Sequence, residues 1–134
     1  MLEAYSLNVP VLEGADIPLN QVRTIKGPTA ILQGSSSIVL NKCGVYKITA
    51  TANVTPDEAG TVSIQLKQNG NLIDNAIAQA TAAVDTVYNL KFETLVTVSS
   101  NNTACPCTIP TVLAIANGDA ATINLLDVIV DKIV

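Results

Sequence analysis

The sequence has no histidine and no tryptophan, and it has few charged residues. Histidine is the commonest general base and the commonest metal ligand in proteins, so its absence argues against an acid–base enzyme and against a histidine-bound metal. Charged residues make up 13% of the chain, about half of the roughly 25% that is typical of a soluble domain. Because a free monomer needs charged surface to stay in solution, we expect much of this surface to face other subunits.

Positive charge is also scarce, which limits the partners that the chain can bind. The net charge is −4, and the Lys and Arg residues are scattered singly, whereas nucleic acids and anionic membranes require clustered basic side chains. No apolar run approaches the ~20 residues of a membrane-spanning helix. The first ten residues, MLEAYSLNVP, lack the basic region of a signal peptide. We therefore expect no nucleic-acid or membrane partner, and synthesis in the cytoplasm.

Alternation of apolar and polar residues is the main structural signal. It runs through GVYKITATANV at 44–54, TVSIQLK at 61–67 and VYNLKFETLVTV at 87–98. A period of two over such lengths predicts β-strands with one buried face. Tyr46 and Tyr88 fall on the apolar sides of these segments, where we expect both rings to contribute to the core.

Turn-forming residues separate these segments, as in TPDEAG at 55–60, QNGN at 68–71 and NGDA at 117–120. Asn and Gly accept positive φ, which makes QNGN a tight-turn signal. The segment 73–84 favours a less regular strand and loop over a helix. Shorter strand candidates lie at 4–9, 17–25, 29–33 and 36–41. We therefore predict a single all-β domain over 1–134, a jelly-roll β-sandwich of about ten short strands.

The last segment, ATINLLDVIVDKIV at 121–134, carries apolar residues on both parities. Such a strand is buried on both faces, or it contains a bulge that switches its phase. One face of a strand in a two-layer domain should meet water, so we infer that the second face meets another subunit. The residues predicted to form this contact, shared with the core, are Ile123, Leu126, Val128, Ile129, Val130 and Ile133.

The stretch SIVLNKCGVYKITATANV at 37–54 resembles the signature region of the tumour necrosis factor and complement globular-head jelly roll. In that family an apolar strand and a short turn with Gly precede Gly-x-Tyr at the start of a central strand. Gly44 and Tyr46 occupy these places here. The resemblance covers most of the chain. It implies a compact homotrimer whose last strand lies near the three-fold axis.

A second resemblance is to small proteins encoded in the structural gene clusters of tailed phages. It rests on MLEAYS at 1–6, LNKCGVY at 40–46 and NNTACPCT at 101–108. This resemblance implies a structural virion protein, a capsid decoration or head-fibre module that binds phage capsid or fibre proteins. The alternative is an adhesion module whose loops recognise a host-surface glycan or protein. The lack of Trp and of a clear loop Tyr favours the virion scaffold, since glycan sites use exposed aromatic platforms.

The acidic residues fall mostly in turns or at solvent-facing strand positions. Asp57 and Glu58 are adjacent, and a weak calcium site or an acid–base pair competes there with an ordinary polar turn, which we expect. Asp127 and Asp131 flank apolar residues of the last strand, where they either contact Lys132 or a neighbour's lysine or point to water, and we expect water. We therefore predict no catalytic residue, no metal site and no cofactor.

The three cysteines, Cys43, Cys105 and Cys107, are expected to meet at one end of the jelly roll. In a fold of this type the strand that starts at Gly44 pairs antiparallel with the strand that ends near Val98. Three thiolates fall one ligand short of a structural zinc site, and Cys-x-Cys around a proline is too short for a redox pair. We favour a structural role over a metal bound by the thiolates: packed thiols in the cytoplasm, and a bridge from Cys43 to Cys105 or Cys107 in oxidising surroundings.

Overall fold

The computed structural model describes residues 1–19, 21–26, 30–98 and 111–133, which form ten strands. The strands are β1 (Leu2–Val11), β2 (Gln21–Ile25), β3 (Ala30–Gln33), β4 (Ser37–Leu40), β5 (Gly44–Pro56), β6 (Gly60–Gln68), β7 (Asn71–Ala82), β8 (Tyr88–Val98), β9 (Thr111–Asn117) and β10 (Ala121–Lys132). None of the described residues belongs to a helix that could cross a membrane. The prediction of an all-β sandwich is confirmed.

The strands form two antiparallel sheets of five strands each. Sheet A has the order β2-β1-β10-β5-β8, and sheet B has the order β3-β4-β9-β6-β7. The first and last strands lie side by side in sheet A, and β10 is its central strand. The predicted pairing of the strand that starts at Gly44 is confirmed, because β5 pairs with β8 from Gly44 opposite Val98 to Val54 opposite Tyr88.

The core lies between the two sheets and follows directly from the alternation in the sequence. In β5, Tyr46, Ile48 and Val54 point inward and are fully buried. In β6, Ile64 and Leu66 do the same from the opposite sheet. Burial of each large apolar side chain contributes roughly 1.5–3 kcal/mol. The alternating segments therefore fix which side of each sheet faces the core.

The QNGN turn forms as predicted. Asn69 and Gly70 have φ values of 53° and 84°, and Gln68 faces Asn71 across the hairpin that joins β6 to β7. Two successive positive φ values are the geometry of the tight hairpin turn that follows the right-handed twist of the strands. The segment 73–84 is strand for most of its length, as part of β7.

A bulge in β10 corrects the prediction for the subunit contact. The register against β5 shifts between Ile123 and Leu125, and the shift switches the phase of the strand, so that residues of both parities reach the same core. Four of the six predicted contact residues are fully buried in the core of the single chain: Ile123, Leu126, Val128 and Val130. They are therefore core residues, and they are not available to a second subunit.

Tyr46 forms a hydrogen bond across the turn that leads into β5. Its ring is buried, and its hydroxyl donates a 2.8 Å hydrogen bond to the carbonyl oxygen of Lys42. Burial raises the pKa of this hydroxyl, so it stays protonated and able to donate.

We expect Tyr46→Phe to lower the free energy of unfolding by about 1 kcal/mol, measured by urea denaturation. Tyr88→Phe is the control. The Tyr88 hydroxyl accepts a bond from the Ala83 amide at an exposed position, so a loss as large as that of Tyr46→Phe would contradict this account.

Candidate functional site

The surface of sheet A that points away from sheet B is here called the outer face of sheet A. It combines apolar, aromatic and ionisable side chains. Along β1 and β10, Leu7 lies opposite Leu125, and Tyr5 lies opposite Asp127. Leu7 is 54% exposed, and the other three are half-buried. An apolar pair therefore lies next to an aromatic ring and a carboxylate at the centre of this sheet.

Asp127 is held against a second carboxyl group, that of Glu3. Glu3 lies opposite Ile129, two positions along β10 from Asp127, so the two side chains meet diagonally across neighbouring strands. The pKa of Asp127 is raised to about 6, first by burial and then by the hydrogen bond and the like charge of Glu3, while the charge of Arg23 partly offsets these effects. The Oδ1 atom of Asp127 is buried without a hydrogen-bond donor among the described residues.

Arg23 on the edge strand β2 covers this pair from one side. Its guanidinium carbon lies 5.0 Å from the centre of the Tyr5 ring, and its Nη1 atom is 3.5 Å from Glu3 Oε2. The Glu3 side chain is only 14% exposed, whereas that of Arg23 is 58% exposed. A cation over an exposed ring contributes about 0.5–1 kcal/mol, so Arg23 supports this cluster but leaves Asp127 Oδ1 without a donor.

Two of the predicted contact residues remain on the surface. Ile129 is half-buried on the outer face of sheet A, between Glu3 and Thr49. Ile133 follows β10 and is exposed. A subunit contact at these two residues stays a prediction. The expectation that Asp127 points to water is wrong, because its carboxyl group lies against Glu3, whereas Asp131 is exposed as expected.

A second set of exposed apolar side chains lies at the opposite edge of the sandwich. β7 is an edge strand of sheet B, and β8 is an edge strand of sheet A. The two strands are in contact and together form one edge of the sandwich. Ile77 on β7, and Val84 and Val87 in the connection between β7 and β8, are all exposed. This group, here called the β7–β8 edge, differs in position and in composition from the outer face of sheet A.

Acidic residues line a cavity at the loop end of the sandwich. The cavity has a volume of about 390 Å³ and is lined by Glu13, Asp57, Glu58 and Asp119, with two alanines. Asp119 Oδ2 already accepts a hydrogen bond from the Thr61 amide at 3.3 Å. Within the described parts of the chain, no group of three or more Asp, Glu, His or Cys residues has the geometry to hold a metal ion. Asp57 and Glu58 lie between β5 and β6, and Asp119 lies between β9 and β10.

Cys43 lies directly before β5 and is disulfide-bonded. The pairing of Gly44 with Val98 places the end of β8 next to it. Cys105 and Cys107 lie outside the described residues. Which of them bonds to Cys43 therefore stays a prediction.

No protein-family model and no curated protein matches the sequence. Among solved structures, the chain is similar to Eiger TNF from S. frugiperda, with a TM-score of 0.72, 12% identity, and coverage of 99% of this chain and 92% of that one. It is similar to the globular domain of zebrafish complement 1qA, with a TM-score of 0.67, 7% identity, and coverage of 96% and 94%.

A viral protein has the same fold. The chain is similar to the vertex protein P5 of PRD1, with a TM-score of 0.64, 15% identity, and coverage of 99% of this chain and 96% of that one. At these identities the likeness establishes the fold and does not establish a function. The chain thus has the jelly-roll fold of the tumour necrosis factor and complement globular-head domains, which a vertex protein of PRD1 shares.

Proposed function

We propose that the chain is a structural virion protein of a tailed phage, a homotrimeric capsid decoration or head-fibre module that acts by binding. The observation that carries this proposal is the outer face of sheet A. Leu7, Leu125 and Ile129 lie there beside the Glu3–Asp127 pair, and the buried Oδ1 atom of Asp127 has no donor among the described residues. A second subunit that covers this face would bury its apolar side chains and exclude water from the carboxyl pair.

The positions of the two apolar surfaces favour a ring over a two-fold dimer. A two-fold dimer joins the same surface of both chains, whereas a ring joins two different surfaces of each chain. The outer face of sheet A and the β7–β8 edge are two such surfaces, and each carries exposed apolar residues, such as Leu7 on the first and Val87 on the second. We infer that the β7–β8 edge of one subunit packs against the outer face of sheet A of the next. The resemblance to trimeric jelly rolls favours three subunits.

The placement in a virion rests on two likenesses and on the composition. Three short stretches of the sequence resemble proteins of tailed-phage structural gene clusters, and the fold is shared with a vertex protein of the phage PRD1. A chain with 13% charged residues needs its surface covered by other subunits. We therefore assign it a place in an assembled particle, where its partners are its own copies and phage capsid or fibre proteins.

Adhesion to a host-surface glycan or protein is the second candidate function. It would use the loops at the end of the sandwich, which border the cavity near Glu13 and Asp119. The carboxylate lining of this cavity fits a cationic group on a protein better than a neutral glycan, because none of the described residues that line it is aromatic. Binding of fluorescently labelled protein to host cells, competed by cationic peptides, tests this candidate.

Substitution of Leu7 tests the subunit contact. We expect the wild-type protein to be a trimer of 13.9 kDa chains in light scattering at micromolar concentration. Leu7→Glu should give a folded monomer, because a charge at this site is solvated in the single chain but would be buried in the assembly, at a cost of several kcal/mol per contact. Leu12→Glu is the matched control. Leu12 is 77% exposed and lies outside the strands, so this variant should remain a trimer. A folded wild-type monomer would overturn the proposal.

Electron microscopy of intact particles tests the virion assignment. Particles that carry the protein should show density with three-fold symmetry at defined sites on the head or its fibres. Particles from a phage that lacks the gene should lose this density and keep their other features. Purified particles in which the protein is undetectable by mass spectrometry would contradict the assignment without affecting the trimer.

A further inference from the structure

When both are ionised, the carboxyl groups of Glu3 and Asp127 meet without a hydrogen-bond donor between them. Two carboxylates have only acceptor atoms, so they form a hydrogen bond with each other only when one carries a proton. Asp127 Oδ1 is buried and has no other donor among the described residues. The contact between Asp127 and Glu3 is favourable when one of the two carboxyl groups carries a proton. It is unfavourable when both are negatively charged.

Among the described residues, no side chain donates a hydrogen bond to Asp127 Oδ1. On β5, Asp127 faces the uncharged Thr51, and the next residue in that row is Lys91 on β8. Lys47 lies opposite Asp131, further along the strand, and it forms an ion pair with Glu93. The charged or titratable groups around the pair are therefore, strand by strand, Tyr5, Arg23, Lys47, Lys91 and Asp131.

Assembly would make this contact more sensitive to protons. A subunit that covers the outer face of sheet A removes water that solvates the carboxylate charges, and loss of water favours the protonated form. If β10 lies near a three-fold axis, three copies of the pair also approach each other, and their like charges repel. Both effects act in the same direction, so the assembled state binds protons more tightly than the single chain does.

We propose that the Glu3–Asp127 pair makes assembly of the subunits depend on protons, so that the trimer tightens in mildly acidic solution and loosens above neutral pH. This inference rests on the proposed subunit contact at the outer face of sheet A. In the proposed assembly, the neighbouring copy covers each carboxyl pair. A virion protein with this property would hold its place more firmly at acidic than at alkaline pH.

The direction with pH follows from linkage between proton binding and assembly. The pKa of Asp127 is already raised to about 6 in the single folded chain, and further burial in the assembly raises it again. The proton-linked gain in association is therefore fully present below about 6 and is lost as pH rises through the higher pKa of the assembled pair. The association constant changes by up to about tenfold per pH unit for each proton taken up.

Sedimentation equilibrium at constant ionic strength measures this dependence directly. For the wild type, the concentration at which half of the chains are trimeric should fall by at least about tenfold between pH 7.5 and pH 5.5. Asp127→Asn supplies an amide N–H donor that does not titrate, so this variant should assemble equally well at both pH values and as tightly as the wild type in acid. Glu3→Gln should lose the pH dependence for the same reason, and it serves as a second variant if Asp127→Asn folds poorly.

Asp131→Asn is the matched control, because it removes the same charge from the same strand at an exposed site. It should keep the full pH dependence of the wild type. A wild-type trimer whose midpoint does not change with pH would overturn this inference and leave the trimer standing. Equal loss of pH dependence in the control would also overturn it. A wild-type protein that is monomeric at every pH would instead overturn the proposed function, and this inference with it.

Discussion

Val128→Asp is expected to prevent the chain from folding. Val128 is fully buried on β10, where it lies opposite Ala4 on one side and Ala50 on the other. A carboxylate there would be surrounded by the apolar core, and an uncompensated buried charge costs about 3–5 kcal/mol. Because a domain is stable by only about 5–15 kcal/mol, we expect a non-cooperative thermal transition in circular dichroism, or loss of soluble protein.

The neighbouring residue provides the control for this prediction. Ile129→Asp introduces the same charge one position along the strand, on the outer face of sheet A, where Ile129 is half-buried. This variant should retain the strand spectrum and a cooperative melt of the folded chain while it fails to assemble. If both variants fold, β10 does not lie in the core. If both unfold, the outer face of sheet A is part of the chain's own stability and not a subunit contact.

The sequence predicts the sandwich well because its signals are local. Alternation with period two at 44–54, 61–67 and 87–98 sets the inward face of β5, β6 and β8 with no knowledge of their partners. The positive φ values at Asn69 and Gly70 are likewise a local preference, and the turn forms there. These signals do not determine which strands are neighbours. The pairing of β5 with β8 is predicted from the family resemblance instead.

The candidate site could not be predicted because it depends on the register between distant strands. Asp127 meets Glu3 only because β1 and β10 pair with Tyr5 opposite Asp127, and nothing in either segment alone specifies that register. The bulge at Ile123–Leu125 is similarly a property of the pair β5–β10. Without the bulge, the apolar residues of β10 divide between two faces, which is why four core residues were expected in the subunit contact.

The segment that follows β1 shows why a strand can be predicted longer than it is. Residues 17–25 were predicted as one strand, but only Gln21–Ile25 forms β2. Ile17 and Leu19 are fully buried in the core although they lie outside the strands. The Ile17 amide donates to the Ile115 carbonyl of β9, and the Leu19 amide donates to the Ser35 carbonyl. Apolar residues in such a connection look like strand residues in the sequence, because burial and strand geometry leave the same pattern.

Loss of the Cys43 bond is the other change for which we expect a large effect. Cys43 is disulfide-bonded, and a bridge to Cys105 or Cys107 closes a loop of about 60 residues, which in the chain-entropy model contributes about 4 kcal/mol by restricting the unfolded chain. We expect Cys43→Ala to lower the free energy of urea unfolding by this amount under oxidising conditions.

One of Cys105→Ala and Cys107→Ala should match that loss, and the other should stay near the wild type, which identifies the bonded partner. Reductant should bring the wild type down to the level of Cys43→Ala and leave that variant unchanged. A wild type whose unfolding does not respond to reductant would contradict a stabilising bridge.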